Sequence, residues 1–158
     1  MELLLLLGLI LLNGVFAASE MALVSSRSAR LQARAEAGSA GARAALKLSE
    51  DPAIFLSTVQ VGITTIGILS GAFGENAIAE RLIGVFEQMP LIAAHSQLLA
   101  TVCMVIAVTY CSVVLGEIVP KRLALLAPER FASLVAPPMT VLAKIAHPLV
   151  RLFSFFSH

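Results

Sequence analysis

The sequence is poor in aromatic and charged residues. Its 158 residues include no tryptophan and one tyrosine, and only 13% of them are charged, whereas 58% are hydrophobic. The mean hydropathy of +0.92 does not fit the usual balance of apolar and charged residues in soluble globular domains. This composition excludes an ordinary water-soluble domain and indicates a membrane protein.

Residues that carry catalysis or bind soft metals are also scarce. Cys103 and Cys111 fall in one apolar stretch, where they are interpreted as small buried residues rather than as a disulfide or a zinc site. His95, His147 and His158 lie outside the apolar stretches. Those stretches contain no pairing of nucleophile and base, no glycine-rich phosphate loop and no metalloprotease motif. We therefore expect no enzymatic activity.

Three apolar stretches are long enough to cross a bilayer, which takes about 20 mostly apolar residues. They cover approximately residues 3–26, 53–73 and 96–119. The first could be a secretory signal, but no positive residue precedes its apolar core, so we interpret it as a retained helix. The sequence thus predicts an all-α membrane protein with three transmembrane helices.

The basic residues predict the orientation. With three spans, every Lys and Arg except Arg81 falls on one side, which the positive-inside rule identifies as cytoplasmic. The N-terminus is then outside and the C-terminus inside. Residues 27–50 are expected to form a cytoplasmic helical segment interrupted at Gly38 and Gly41, and the external loop can hold a short helix around residues 75–88.

Residues 128–157 are amphipathic rather than continuously apolar. The uncharged run from 131 to 143 is too short to cross the membrane but long enough to lie at its surface. We predict one or two short juxtamembrane helices, broken at Pro137 and Pro138, that form an interfacial belt. The alternative is a fourth span that tolerates Lys144 and places the C-terminus outside.

The stretch "LGEIVPKRLAL" ends the third apolar run on a carboxylate. An ionisable group at membrane depth costs about 2.5 to 3.5 kcal/mol, so Glu117 needs an explanation. Pro120 has no N–H, so the carbonyl of Gly116 loses its helical partner. Together they offer two hard oxygen acceptors at a helix break, which predicts a cation site. Lys121 and Arg122 are expected to mark the inner boundary and to pair with anionic lipid.

Further polar residues lie on the first two helices. Gln60, Thr64, Gly67 and Gly71 share one face of the second helix, although close helix packing is a competing explanation of the glycines. Glu20 is either a site residue or a carboxylate reaching the membrane surface. An all-oxygen set suits hard cations. The candidate metal ligands are Ser19, Gln60, Gly62, Thr64, Gly116 and Glu117, with Asn13, Glu20 and Thr65 as secondary polar candidates.

Three stretches, "NGVFAASEMALVSSR", "FLSTVQVGITTIGIL" and "LGEIVPKRLAL", resemble the signature helices of the transmembrane domain of the cyclin M and CorC magnesium transporters. The resemblance implies a homodimer with a cation site enclosed by helices one to three. It matches Ser19, Gly116, Glu117 and Pro120 to the family pattern. Helix two departs from it, because the two asparagines of the family's G-N-x-L-V-N pattern are replaced by Ile63 and Gly67.

The resemblance also implies a function. We expect an integral protein of the bacterial inner membrane that transports Mg²⁺, by Na⁺-coupled efflux. The alternative is a cation-sensing membrane anchor that transports nothing and signals to a cytosolic domain. Membrane lipid is an expected partner and nucleic acid is not. Family members often continue into cytosolic CBS domains, so we expect a truncated transporter that would meet adenine nucleotide only through that missing part.

Overall fold

The computed structural model describes residues 1–156, and these are helical almost throughout. His158 and the last residue of the predicted 128–157 belt lie outside the described residues. The α-helices are α1 (Glu2–Ser25), α2 (Ser28–Glu36), α3 (Ala40–Glu50), α4 (Pro52–Gly74), α5 (Glu80–Phe86), α6 (Ser96–Val113), α7 (Val119–Leu126) and α8 (Pro128–Phe156). Since residues 1–156 contain no strand, the predicted all-α fold is confirmed.

Two π-helical turns lengthen the predicted second and third helices. The turn Glu75–Ala79 joins α4 to α5, and the turn Val114–Ile118 joins α6 to α7. A short 3₁₀ turn, Ala93–His95, leads into α6. The resulting candidate spans cover Pro52–Phe86 and Ala93–Leu126, of 35 and 34 residues. The helix predicted around residues 75–88 is therefore present as Glu75–Ala79 and α5, but it continues α4 instead of standing apart from it.

The C-terminal helix corrects the prediction of short belt helices. α8 runs for 29 residues through Pro137, Pro138 and Pro148 without a break. It is the fourth helix of the described chain that is long and apolar enough to cross a membrane, with a hydropathy of 1.3 against 2.0 for α1. Prolines weaken a helix without necessarily ending it, and the apolar stripe of α8 is continuous. The number of spans and the side of each terminus stay predictions.

The chain forms two compact units. The first comprises Met1–Gly14 and Thr64–Val119. Its core is a small apolar cluster contributed by α1, α6 and the first π-helical turn. The members of that cluster are Leu6, Ile10, Ala79, Met104 and Val108. Gly74 allows this packing, because a side chain there would lie 3.1 Å from both the Met104 sulfur and a Val108 methyl group.

The second unit comprises Val15–Ile63 and the chain from Pro120 onward. Its core consists mainly of alanine, which lets helices approach closely. The buried residues are Ala18, Ala22, Leu31, Ala35, Ala42, Ala45, Ala124, Ala132 and Ala136. α3 packs along α8 within this unit. The helical segment predicted at residues 27–50 is present as α2 and α3.

Gly38 and Gly41 have different roles in that segment. Gly38 has φ +103°, a conformation that favours glycine, and it ends α2 as predicted. Gly41 instead lies within the first turn of α3, so the predicted interruption there is wrong. A Cβ at Gly41 would overlap the carbonyl oxygen of Ser133 and lie 2.9 Å from its carbon. Pro137 has no N–H to donate to that carbonyl four residues back, so the Ser133 carbonyl is left without its α-helical partner at this contact with α3.

Candidate cation site

The third apolar helix widens at Gly116 rather than ending there. In the π-helical turn Val114–Ile118, the Val119 N–H donates to the carbonyl of Val114, five residues back. The Gly116 carbonyl would bond residue 120 in an α-helix, but proline cannot donate. The Asn13 side-chain Nδ2 donates to the Gly116 carbonyl at 2.9 Å instead. The predicted interruption at Pro120 is thus a π-helical turn followed by α7, and such turns are frequent at functional sites.

The absence of a side chain at Gly116 allows this contact. A Cβ there would lie 3.1 Å from Asn13 Nδ2 and 3.2 Å from the carbonyl oxygen of Ile10. Gly116 is buried, Asn13 is half-buried, and Glu117, the next residue, is exposed on the chain. The first unit therefore brings together two of the sequence-predicted polar residues, Asn13 and Gly116, beside a carboxylate on the same turn.

These groups are suited to a hard cation. The Gly116 oxygen has a second lone pair, and the Asn13 amide oxygen stays available because its nitrogen makes the hydrogen bond. The Glu117 carboxylate adds a negative charge. Carbonyl, amide and carboxylate oxygens are the ligands that Mg²⁺, Ca²⁺ and Na⁺ prefer.

In the second unit, Ser19 is fully buried on α1. Its hydroxyl donates to the Val15 carbonyl at 2.6 Å, so the oxygen keeps its lone pairs for a further interaction. One turn earlier on α1, the ring of Phe16 lies against Gly62 of α4. A Cβ at residue 62 would be 3.0 Å from a carbon of that ring. Gly62 thus allows α1 and α4 to pack in this unit, whereas Gln60 is exposed.

Glu20 forms an ion pair that the sequence reasoning did not assign. Its carboxylate oxygen lies 3.9 Å from the Lys121 ammonium, and the two side chains are 33% and 27% exposed. Both belong to the second unit. Glu20 therefore has a protein partner, and a positive charge stands next to one of the secondary candidate residues.

The six candidate ligands are divided between the two units. Ser19, Gln60 and Gly62 belong to the second unit, and Thr64, Gly116 and Glu117 to the first. Within residues 1–156 there is no group of three or more His, Cys, Asp or Glu side chains that could hold a metal ion. A cation held by the predicted set would depend on neutral oxygens beside Glu117. Convergence of the six on one ion stays a prediction.

Packing within residues 1–156 does not explain the small-residue face of α4. Thr64, Gly67 and Gly71 are exposed, and Cβ atoms at the two glycines would have no neighbour within 4 Å among those residues. The competing explanation by helix packing therefore requires a surface beyond them.

Sequence reasoning missed Glu129. This carboxylate is only 7% exposed, and its Oε1 accepts from the backbone N–H of Arg27 at 3.2 Å. This hydrogen bond connects the first turn of α8 to Arg27, the residue that precedes α2. The side chain of Arg27 makes no capping hydrogen bond to α2. The available signal was an acid directly after Pro128 at the start of an amphipathic run, a common arrangement at helix N-termini.

The chain matches a known family over almost its whole length. The model of the cyclin M transmembrane N-terminal domain matches residues 4–158. The chain belongs to this cyclin M family. The resemblance drawn from the three signature stretches is thereby confirmed. With its four long apolar helices, this cyclin M domain is an integral membrane protein.

Several curated relatives of the cyclin M domain come from bacteria. A UPF0053 protein of Synechocystis sp. is 46% identical over 96% of this chain and 34% of its own length. An uncharacterised Mycobacterium tuberculosis protein is 38% identical over 94% of this chain and 43% of its own length. The polyamine export protein of Escherichia coli is 30% identical over 97% of this chain and 34% of its own length. The chain thus spans about a third to two fifths of these relatives.

Proposed function

We propose that this cyclin M domain transports a divalent metal cation, with Mg²⁺ as its cargo, across the bacterial inner membrane. Export driven by Na⁺ entry is the form of transport that the family resemblance favours. Membership of the cyclin M family and the bacterial origin of the relatives support a membrane transport role. The all-oxygen chemistry of the candidate residues supports the choice of ion.

The observation that carries the proposal is the π-helical turn at Gly116 and Glu117. A carboxylate on a transmembrane helix is costly unless it faces protein or a water-filled pathway. The Glu117 carboxylate comes directly after Gly116, whose buried carbonyl has lost its helical donor. That carbonyl accepts a hydrogen bond from the Asn13 side-chain amide instead. Irregular backbone at membrane depth is tolerated where it lines a cavity or a binding site.

In this mechanism Glu117 supplies the negative charge that offsets the loss of water around Mg²⁺. We propose Gly116, Ser19 and Thr64 as the neutral oxygen ligands, with Gln60 and Gly62 of α4 as further candidates. Mg²⁺ loses its water reluctantly, so the site needs several close oxygens and at least one full carboxylate. Thr65 lies on the adjoining face of α4 as a secondary ligand.

The domain is proposed to work as a homodimer of three-span subunits, with α8 at the membrane surface and the C-terminus in the cytoplasm. The exposed face formed by Thr64, Gly67 and Gly71 supports this proposal, because a second copy of the chain would provide a surface for it to pack against. Pro138 and Pro148 leave the carbonyls of Leu134 and Lys144 without their α-helical donors. This supports an interfacial position for α8, since a lipid-exposed carbonyl without a donor is costly in the bilayer core.

Ion flux in sealed vesicles tests the proposal. The purified 158-residue chain is reconstituted, and Mg²⁺ movement is followed with an entrapped indicator under separate Mg²⁺ and Na⁺ gradients. Glu117→Gln keeps the shape of the side chain and removes its charge, so Mg²⁺ flux should fall to the level of empty vesicles. Glu80→Gln, the same change on exposed α5, is the matched control and should retain wild-type flux.

Each outcome decides between hypotheses. Mg²⁺ flux that depends on Glu117 and responds to the Na⁺ gradient supports the exporter. Wild-type flux in Glu117→Gln contradicts the assigned role of Glu117. Saturable Mg²⁺ binding without flux would favour a cation-sensing membrane anchor.

Polyamine export is a second candidate because three relatives, in Escherichia coli, Salmonella typhimurium and Haemophilus influenzae, are named polyamine export protein. Carboxylate and carbonyl oxygens accept hydrogen bonds from ammonium groups as well as coordinating metal ions. Labelled spermidine and Mg²⁺ are therefore compared in the same vesicles. Spermidine flux that Mg²⁺ does not inhibit would replace the magnesium proposal with the polyamine one.

A further inference from the structure

The second unit contains a basic cleft that plays no part in the proposed cation pathway. The cleft has a volume of about 380 Å³ and lies where the end of α3 and the start of α4 face α8. Lys47, Lys144 and His147 line it, together with Thr140. Within residues 1–156, neither Lys47 nor Lys144 takes part in an ion pair. Two uncompensated ammonium groups at one cleft favour an anionic ligand.

Among the residues that the structure describes, no acidic side chain lines the cleft. Glu50 and Asp51 are the acids nearest to Lys47 in sequence, but neither belongs to its wall. Asp51 is turned to the backbone, where its Oδ1 accepts from the N–H of Ile54 at 3.4 Å. The charge of the cleft is therefore positive at neutral pH, and a phosphate group is a suitable anion for the two lysines.

The rest of the lining favours a lipid over a soluble phosphate compound. Leu48, Ile54 and Ala143 make most of the wall apolar. Ile54 also borders a second, mostly apolar cleft of about 330 Å³, lined by Val150 and Phe153 among others. The basic cleft and the apolar cleft thus share Ile54 as a wall residue.

The two clefts meet at Ile54, which lines both. On α8, Lys144 and His147 line the basic cleft and Val150 and Phe153 the second one. Each step of three residues falls about 60° short of a full turn, so these four positions wind around α8 from one cleft to the other. From Lys144 to Phe153 the helix rises roughly 14 Å, at 1.5 Å per residue. This length suits a good part of an acyl chain that lies beside the first turns of α4, the start of a candidate span.

We propose that the two clefts together bind one anionic phospholipid. Its phosphate lies between Lys47 and Lys144, and one acyl chain follows Ile54, Val150 and Phe153. In the predicted orientation the site faces the cytoplasmic leaflet, whose anionic lipids attract basic segments near the membrane surface. The bound lipid fastens α8 to the α3–α4 junction. This inference is independent of the transported ion.

Native mass spectrometry of the 158-residue chain, released from detergent, tests the site. The chain is equilibrated with palmitoyl-oleoyl phosphatidylglycerol and with the phosphatidylcholine that has the same acyl chains. One phosphatidylglycerol should bind with a preference of about tenfold or more, since each of two lysines adds attraction for an anionic headgroup. Lys47→Gln combined with Lys144→Gln should remove that preference.

The matched control is Arg43→Gln combined with Arg151→Gln. It removes the same charge from exposed positions on the same two helices, outside both clefts, and should retain the preference. Lys47→Arg combined with Lys144→Arg should retain it too, which separates loss of charge from misfolding. Circular dichroism verifies equal helix content in all variants.

Three results would overturn the inference. Equal binding of the two lipids by the wild type would exclude a specific anionic site, and this comparison needs no variant. An equal loss in the arginine control would reduce the effect to general surface charge. Binding of glycerol phosphate as tight as that of phosphatidylglycerol would identify a soluble anion as the ligand instead.

Discussion

Replacing Gly41 with alanine tests the packing of α3 on α8. The added Cβ would overlap the carbonyl oxygen of Ser133 and approach its carbon to 2.9 Å and its Cα to 3.3 Å. All three are backbone atoms, so no side-chain rotation relieves the contact and one helix has to move. Overpacking of this kind costs about 1 to 3 kcal/mol. A contact with backbone belongs near the upper end of that range.

Helix propensity partly offsets this cost, because alanine is favoured over glycine by about 1 kcal/mol within a helix. The net destabilisation is then about 2 kcal/mol. For a chain of this size that corresponds to a fall in Tm of roughly 4 to 8 °C. The assay is thermal unfolding in detergent, followed by the circular dichroism of the helices.

Gly84→Ala on α5 is the matched control. It has the same propensity gain, but a Cβ there has no neighbour within 4 Å. Its Tm should therefore equal or exceed that of the wild type. If Gly41→Ala is as stable as Gly84→Ala, the close approach of α3 to α8 at Ser133 is refuted.

Three other predictions follow from single contacts and from the length of α8. Glu129→Ala leaves the Arg27 N–H without its acceptor and should lower the free energy of unfolding, measured by thermal unfolding, by about 1 to 3 kcal/mol. Glu129→Gln keeps an acceptor and should lower it less. Equal losses in the two variants would contradict the hydrogen bond. Asn13→Leu removes the donor to Gly116 and should lower both Tm and Mg²⁺ flux; wild-type values of both would show that the bond is dispensable. Tags at the two termini should react from opposite sides of the membrane if α8 is interfacial, and from the same side if α8 crosses it.

The sequence predicted those features that depend on local chemistry. Long uncharged runs have to be helices in a membrane, so three of the candidate spans could be predicted from composition alone. The loss of a donor for the Gly116 carbonyl follows from Pro120 without any structure. The partner of that carbonyl does not, because Asn13 lies 103 residues away in sequence.

Other features depend on tertiary contacts that no local pattern specifies. Pro137 and Pro138 predicted a break, but α8 continues through them, because packing against α3 over several turns supports the helix on both sides. Gly41 was interpreted as a helix breaker, although its role is to make room for a neighbouring backbone. In the sequence Glu129 resembles a surface acid, but in the fold it is buried against the backbone of Arg27.

The contact at Ser133 also constrains how this domain can vary. It depends on a missing side chain at Gly41 and a missing amide hydrogen at Pro137, on two different helices. A residue at 137 with an N–H would draw the Ser133 carbonyl back into the helix and relax the requirement for glycine at 41. Positions 41 and 137 should therefore change together among homologous sequences, although they are 96 residues apart.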